Sequence, residues 1–216
     1  MSTLFRLDAS IRHDGSVTRA VADTLQSTVL QELGADTRLI RRDVAADPVP
    51  ADVWQTATFA PAEGRSEAQE RAVRTTGELA DEVLGTDVFV FAVPLYNFGV
   101  SQHFKTWVDT LIGDPRLAPG QTPLAGRPAF LVTARGGGYA PGTPRAGWDH
   151  ATGWMRRILA DVWNLDLDVI ETELTLAEVT PQMAELRDLA RAQLEESHDA
   201  ARRGGRAVTL RLRSVV

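Results

Sequence analysis

The chain has no cysteine and only one lysine, Lys105, among its 216 residues. The lack of thiols excludes disulfides, thiolate metal ligands and a cysteine nucleophile. No segment reaches the ~20 apolar residues of a membrane-spanning helix, and the N-terminus has no apolar signal segment. The formal net charge of −6 argues against a nucleic-acid or membrane-surface partner, because either would require a basic face. The simplest interpretation is a soluble, cytoplasmic protein.

Short apolar runs alternate with longer amphipathic stretches, which is typical of repeated β-α units. Each right-handed crossover places a helix on one face of a parallel sheet, so five strands and five helices predict a three-layer α/β sandwich. We expect strands at 3–8, 37–41, 87–93, 128–133 and 167–171, and helices at 16–33, 66–84, 104–111, 155–162 and 183–201.

Three segments outside these elements are less regular. Residues 43–64 and 113–127 contain several prolines and glycines and are expected to be long loops. They would serve as functional lids, as interface segments or as plain surface connections. Residues 205–216 form a C-terminal tail, within which polar and apolar residues alternate over residues 206–213. This alternation predicts an added edge strand, with a frayed terminus as the alternative.

The turn after the first predicted strand is rich in hydroxyl groups. The turn begins with Ser10, and the first helix begins with Ser16, Val17 and Thr18. Free N–H groups and the positive dipole end of a helix suit a phosphate, although Ser16 or Thr18 alone would be explained as a helix cap. The turn contains neither G-x-G-x-x-G nor G-x-x-x-x-G-K-[ST], which disfavours dinucleotide and triphosphate sites. A turn that has several hydroxyl groups and no lysine suits a ligand with a single phosphate group.

The turn after the third predicted strand contains two aromatic residues and an amide. It reads Pro94, Leu95, Tyr96, Asn97, Phe98. Open parallel sheets bind ligands at the carboxyl ends of their strands, so the turn is a candidate site by position. Flat rings beside an amide suit a flat heteroaromatic ligand, while packing beneath a turn would also explain these residues.

The fourth predicted strand ends in Ala134, Arg135, Gly136, Gly137. Successive glycines let the backbone approach a ligand, and Arg135 could donate to a carbonyl or offset negative charge on a reduced ring. A flexible glycine turn with a solvated arginine is the alternative. In a sheet of order 2-1-3-4-5, the turns after strands one, three and four lie side by side. A ligand with one phosphate and one flat ring system, such as FMN, would contact all three.

These residues resemble the FMN-dependent NADH:quinone oxidoreductase and azoreductase family, which has a flavodoxin-like fold. The family motif P-M-Y-N-F corresponds to residues 94–98, and S-R-G-G corresponds to residues 134–137. A serine followed after a short gap by S-x-S corresponds to Ser10 and residues 16–18. The resemblance extends from the first strand to about Ala200 and implies a flavodoxin-like FMN-binding domain over residues 1–204, followed by the tail.

The resemblance also implies a homodimer with one non-covalent FMN per subunit and a ping-pong cycle. NADH or NADPH would reduce the flavin, and a quinone or azo compound would then take two electrons. Ser10, Ser16 and Thr18 would hold the phosphate, residues 95–98 would line the ring, and residues 135–137 would approach its polar edge. No catalytic side chain is predicted, because the cofactor carries the chemistry. The helix bearing Phe104 and Trp107 would form either the dimer interface or an ordinary core face.

Two departures from the family leave the acceptor open. Ala134 replaces a serine, and residues 113–127 lack the aromatic residues of the segment that shapes the family's acceptor pocket. A dedicated biosynthetic flavin reductase with a specialised substrate is therefore an alternative. The candidates for replacement aromatics in the acceptor pocket are Trp54, Phe59, Tyr139 and Trp148.

Two further functions fit parts of the sequence less well. A flavodoxin-like electron carrier would share the fold, but the chain lacks a strongly acidic docking surface and has long loops able to build a pocket. A hydrolase using Ser10 and His13 would be expected to have a G-x-S-x-G elbow, which is missing, and the four histidines show no metal-ligand spacing.

Overall fold

The computed structural model describes residues 1–214, which form a three-layer α/β sandwich. The strands are β1 (Thr3–Asp8), β2 (Arg38–Asp43), β3 (Val88–Ala92), β4 (Leu95–Tyr96), β5 (Gly99–Val100), β6 (Pro128–Ala134) and β7 (Asp166–Thr172). The helices are α1 (Val17–Leu33), α2 (Ala51–Thr58), α3 (Glu67–Leu84), α4 (Gln102–Ile112), α5 (Thr152–Arg156) and α6 (Arg187–Arg213). A π-helical segment, Arg157–Val162, continues α5, and a 3-10 helix, Pro181–Leu186, precedes α6.

The central sheet has five parallel strands in the order β2-β1-β3-β6-β7. The predicted order 2-1-3-4-5 is confirmed, because β4 and β5 form a separate two-stranded hairpin. All the loops that follow the sheet strands at their carboxyl ends therefore lie along one edge of the sheet.

Both faces of the sheet are covered by apolar side chains. On one face, Phe5 stacks on Trp107 with 5.9 Å between ring centroids, and Phe104 packs against the same cluster. On the other face, Leu25 of α1 and Val208 of α6 pack against the sheet. Phe104 and Trp107 are fully buried within the single chain, so they belong to its core and do not form an exposed surface for a second copy.

The C-terminal tail is helical, and the predicted edge strand over residues 205–216 is wrong for the residues that the structure describes. α6 runs through to Arg213, so the predicted division after residue 204 falls inside this helix, and residues 215–216 lie outside the described part. Buried Gly205 and Val208 continue the helical stripe, and Gly205 packs against Thr28 of α1. Leu210, by contrast, is 68% exposed. The tail is helical because it packs on α1, and the short alternation of polar and apolar residues in the sequence did not reveal this contact.

The segment at 43–64 is also more regular than predicted. It contains α2, whose Val53 is buried against the core. An eight-residue helix between prolines has too few turns to produce a clear periodic pattern in the sequence. Packing against the rest of the fold therefore stabilises this helix, and local sequence did not reveal it. Residues 113–127 form turns, as expected. Among the described residues, no helix has both the length and the apolar character needed to cross a membrane.

Candidate functional site

A cavity of about 260 Å³ lies at the carboxyl edge of the sheet. Its walls come from the loops after β1, β3, β6 and β7, so the structure brings together the three loops identified in the sequence and adds a fourth. The lining residues are Ser10, Ile11, Arg12, Gly15, Ser16, Val17, Thr18, Pro94, Leu95, Tyr96, Ala134, Gly136, Thr175 and Leu176.

The hydroxyl-rich wall of the cavity is the start of α1. Ser10, Ser16 and Thr18 are buried, and Ser16 Oγ lies 3.2 Å from Thr18 Oγ1. Ser16 also caps the helix, because its Oγ accepts a hydrogen bond from the Arg19 N–H at 3.5 Å. Within the described chain, the N–H groups of Val17 and Thr18 have no acceptor, as is usual in the first turn of a helix. Ser16 is therefore both a cap and part of a donor-rich wall.

Arg19 supports this wall from behind. One Nη donates to the Ser10 carbonyl at 2.7 Å, and the two Nη atoms hold both Asp43 oxygens at 2.7 and 3.0 Å. Burial alone would lower the pKa of Arg19, but its hydrogen bond and charge interaction with Asp43 and the charge of buried Asp8 raise it. The guanidinium thus remains charged and ties the loop after β1 to the end of β2.

Residues 94–100 form a tight hairpin rather than a simple turn. Leu95 pairs with Val100 and Tyr96 with Gly99, while Asn97 and Phe98 connect them with φ values of 48° and 66°. Positive φ at both turn residues is the signature of a type I′ turn, which fits the right-handed twist of a hairpin. Asparagine tolerates this conformation, whereas phenylalanine is strained in it.

The Tyr96 phenol connects this hairpin to the first loop. The Ile11 N–H donates to Tyr96 Oη at 3.0 Å, and Tyr96 Oη lies 3.2 Å from Ser10 Oγ. Pro94, Leu95 and Tyr96 line the cavity, whereas Asn97 and Phe98 at the tip of the hairpin do not.

At the end of β6, Ala134 lines the cavity, and so does Gly136 in the loop that follows. A Cβ at Gly136 would come within 2.6 Å of Leu176 Cδ1, so a residue without a side chain is what allows the last loop to close over this one. Gly137 is outside the lining and lies beneath Arg145, whose Nη1 would be 2.8 Å from an added Cβ.

The Arg135 guanidinium does not face the cavity. It is 7% exposed and forms ion pairs with Glu171, with Glu173 at 3.1 Å and with Asp149 at 3.4 Å. Its carbon also lies 5.6 Å from the centroid of the Tyr139 ring. The structure therefore differs from the expectation of a solvated or ligand-facing arginine, because three carboxylates that are distant in sequence surround it.

Three aromatic residues form a group at the tip of the hairpin, which we call the aromatic platform: Phe98, Tyr139 and Trp148. The Phe98 ring centroid lies 6.4 Å from that of Tyr139 and 5.3 Å from that of Trp148. Two of the four predicted acceptor-pocket aromatics are thus brought to Phe98. The other two, Trp54 in α2 and Phe59 at its end, are exposed and lie outside the cavity lining.

The sequence reasoning missed two groups of cavity residues. Ile11 and Arg12 are exposed residues within the first loop, and Thr175 and Leu176 follow β7. The rule that placed the other loops at the sheet edge would have indicated the loop after β7, because β7 lies beside β6. Among the described residues, no group of three or more histidine, cysteine, aspartate or glutamate side chains could hold a metal ion.

Comparisons with known proteins agree on the fold. A family described as "Flavodoxin-like fold" matches residues 2–196. A Frankia casuarinae protein named FMN-dependent NADH:quinone oxidoreductase is 37% identical over 207 residues, covering 94% of this chain and 98% of the relative. A Streptomyces coelicolor protein of the same name is 36% identical over 217 residues, covering 98% of this chain and 97% of the relative.

Solved structures give the same architecture. An azoreductase from Bacillus anthracis has a TM-score of 0.74 at 19% identity, covering 94% of this chain and 100% of the other. An FMN-dependent NADH-azoreductase from the same species, solved in complex with FMN, also has a TM-score of 0.74, at 14% identity, covering 94% of this chain and 99% of the other. At these identities the structural similarity concerns the fold alone.

Proposed function

The chain belongs to the flavodoxin-like family of FMN-dependent NADH:quinone oxidoreductases, and we propose that it uses FMN to pass two electrons from NADH to a quinone or an azo compound. The observation that carries this proposal is the cavity, which joins a hydroxyl-lined helix N-terminus to the hairpin and the glycine loop. A phosphate at the helix N-terminus and a flat ring between the hairpin and the glycine loop would occupy one continuous site.

The residues present fit FMN. Buried hydroxyls of Ser10, Ser16 and Thr18 and the unpaired N–H groups at the start of α1 are donors suited to a monophosphate. At the other end, backbone groups of residues 94–96 and of Gly136 would contact the ring. Ala134 supplies no hydroxyl, so contacts on that side would come from the main chain and from Thr175, which also lines the cavity.

The residues of this chain would bind and orient, while the cofactor supplies the redox chemistry. When bound at these residues, FMN would supply the two-electron transfer from NADH to the acceptor. For a quinone, one NADH and one proton are consumed, and one NAD⁺ and one hydroquinone are formed. The Tyr96 phenol keeps the hairpin against the first loop, and Arg19 keeps Ser10 in place. These contacts would fix the distance between the phosphate wall and the ring wall.

We expect the purified protein to bind FMN and to bleach it with NADH. The visible spectrum should lose the oxidised-flavin absorbance on anaerobic addition of NADH and regain it when a quinone is added. A colourless protein without affinity for FMN would contradict the proposal. An electron carrier would fail at the NADH step, because its flavin would not be reduced directly by a nicotinamide.

We also propose a homodimer, and a cytoplasmic location stays a prediction of the sequence. The aromatic side chains of Trp54 and Phe59 support the dimer, because both are large, apolar and exposed on one short segment. Light scattering at micromolar concentration should give twice the subunit mass of 23.5 kDa. A monomer under these conditions, in the presence of FMN, would count against it.

A further inference from the structure

Arg145 lies beside two loops that line the cavity, and its charge is unpaired. Its guanidinium carbon is 5.8 Å from the centroid of the Phe98 ring, and the group lies over Gly137. No carboxylate in residues 1–214 forms an ion pair with it, whereas nearby Arg135 is surrounded by three. Of these two neighbouring arginines, only Arg145 retains a charge available to a bound molecule.

Backbone hydrogen bonds hold Arg145 in this position. The Trp148 N–H donates to the Arg145 carbonyl at 3.1 Å, and the His150 N–H donates to the Phe98 carbonyl at 3.0 Å. Gly147, which lies between Arg145 and Trp148 in the sequence, has a φ of 80°, a conformation that glycine adopts without strain. The segment is therefore anchored to the tip of the hairpin, and Arg145 is placed by main-chain contacts.

The aromatic platform offers exposed ring surface next to this charge. Phe98 is 37% exposed and Trp148 is 50% exposed. Phe98 occupies a left-handed turn position with a φ of 66°, which is strained for a residue with a side chain. Strained positions of this kind cluster at ligand sites, and Phe98 lies at the tip of the hairpin, two residues after Tyr96, which lines the cavity.

We propose that Arg145 makes this site selective for aromatic electron acceptors that carry a carboxylate or a sulfonate. The inference rests on the proposed function and specifies its acceptor class. The acceptor's ring would lie against the aromatic platform, and its acidic group would pair with the planar guanidinium, which matches the geometry of an oxyanion. Because the pair is solvent exposed, we expect a contribution of about fivefold in kcat/KM.

The test compares two acceptors, 1,2-naphthoquinone and 1,2-naphthoquinone-4-sulfonate, in the wild-type protein and in Arg145→Gln. We expect the substitution to lower kcat/KM about fivefold for the sulfonate and to leave the unsubstituted quinone unchanged. The difference in reduction potential between the quinones cancels when each is compared across variants. Arg156→Gln is the matched control, because Arg156 is an exposed arginine outside the cavity and the platform, and it should alter neither value.

Two outcomes would overturn the inference while leaving the proposed function intact. An equal loss with both quinones would show that Arg145 only supports the local structure. A loss confined to flavin reduction by NADH, measured by anaerobic stopped flow, would assign Arg145 to the dinucleotide. If NADH does not bleach FMN in the wild-type protein, the proposed function itself fails and the acceptor class fails with it.

Discussion

Replacing Ser16 with aspartate is expected to abolish tight FMN binding while the protein remains folded. Ser16 caps α1 through its Oγ, and aspartate is an equally good cap. The new carboxylate would stand against the phosphate at the helix N-terminus. At an effective dielectric constant of about 20, two unit charges ~4 Å apart repel by about 4 kcal/mol, which corresponds to about a thousandfold weaker binding.

Titrations with FMN and with riboflavin, followed by flavin fluorescence, separate this effect from general damage. Riboflavin has the same ring system without the phosphate, so its affinity for Ser16→Asp should equal its affinity for the wild-type protein. Ser27→Asp places the same charge on an exposed position of the same helix and should leave FMN binding intact. Equal losses for both flavins, or undiminished FMN binding, would show that the phosphate is not held at α1.

Replacing Arg19 with glutamine is expected to weaken both the fold and the cofactor site. The substitution removes the donor to the Ser10 carbonyl and leaves Asp43 without its cation. Loss of one partner from a fully buried pair costs about 3–5 kcal/mol, and since Asp43 is 30% exposed we expect about 2 kcal/mol. We expect FMN affinity to fall about tenfold, as for the loss of one hydrogen bond that orders the site.

The same ion pair contributes an acid-sensitive part of the stability. Burial would raise the pKa of Asp43, but hydrogen bonds from Arg19 and from the N–H groups of Ala45 and Ala46 hold it below its ordinary value. A carboxyl with a lowered folded-state pKa stabilises the fold above its unfolded-state pKa of about 3.9. That contribution is lost as the pH falls through the folded-state pKa. Chemical unfolding between pH 3 and 7 should therefore show a steeper acid loss for the wild type than for Arg19→Gln.

Arg116→Gln provides the control for the Arg19 result. Arg116 pairs with Asp114 at 2.8 Å, and its hydrogen bond likewise lowers the pKa of Asp114, but neither residue lines the cavity. Like Arg19→Gln, this variant should be less stable than the wild type and should lose less stability on acidification. Unlike Arg19→Gln, it should bind FMN normally. If it weakens FMN binding as much as Arg19→Gln does, the effect of Arg19 is one of global stability and not of loop placement.

Much of the fold could be predicted from local patterns of apolar residues in the sequence. The five strands of the sheet, their order and the three loops at the sheet edge followed from apolar periodicity and from the handedness of β-α crossovers. The family motif includes residues 94–96 on one wall of the cavity, and the hydroxyls of Ser10, Ser16 and Thr18 lie on another. These features depend on neighbours in sequence or on general chain topology, so no knowledge of side-chain directions was required.

Other features depend on contacts between distant residues, and only the tertiary structure decided them. Arg135 turns to Glu171 and Glu173 because β7 packs beside β6. The tail is helical because α1 supplies a surface for it. Arg145 reaches the hairpin because the loop that carries it is bonded to Phe98. The sequence by itself thus determined the family and the sheet, and it predicted the loops that line the cavity. The charges beside the cavity were set by packing, since long side chains take their direction from neighbours that local periodicity does not specify.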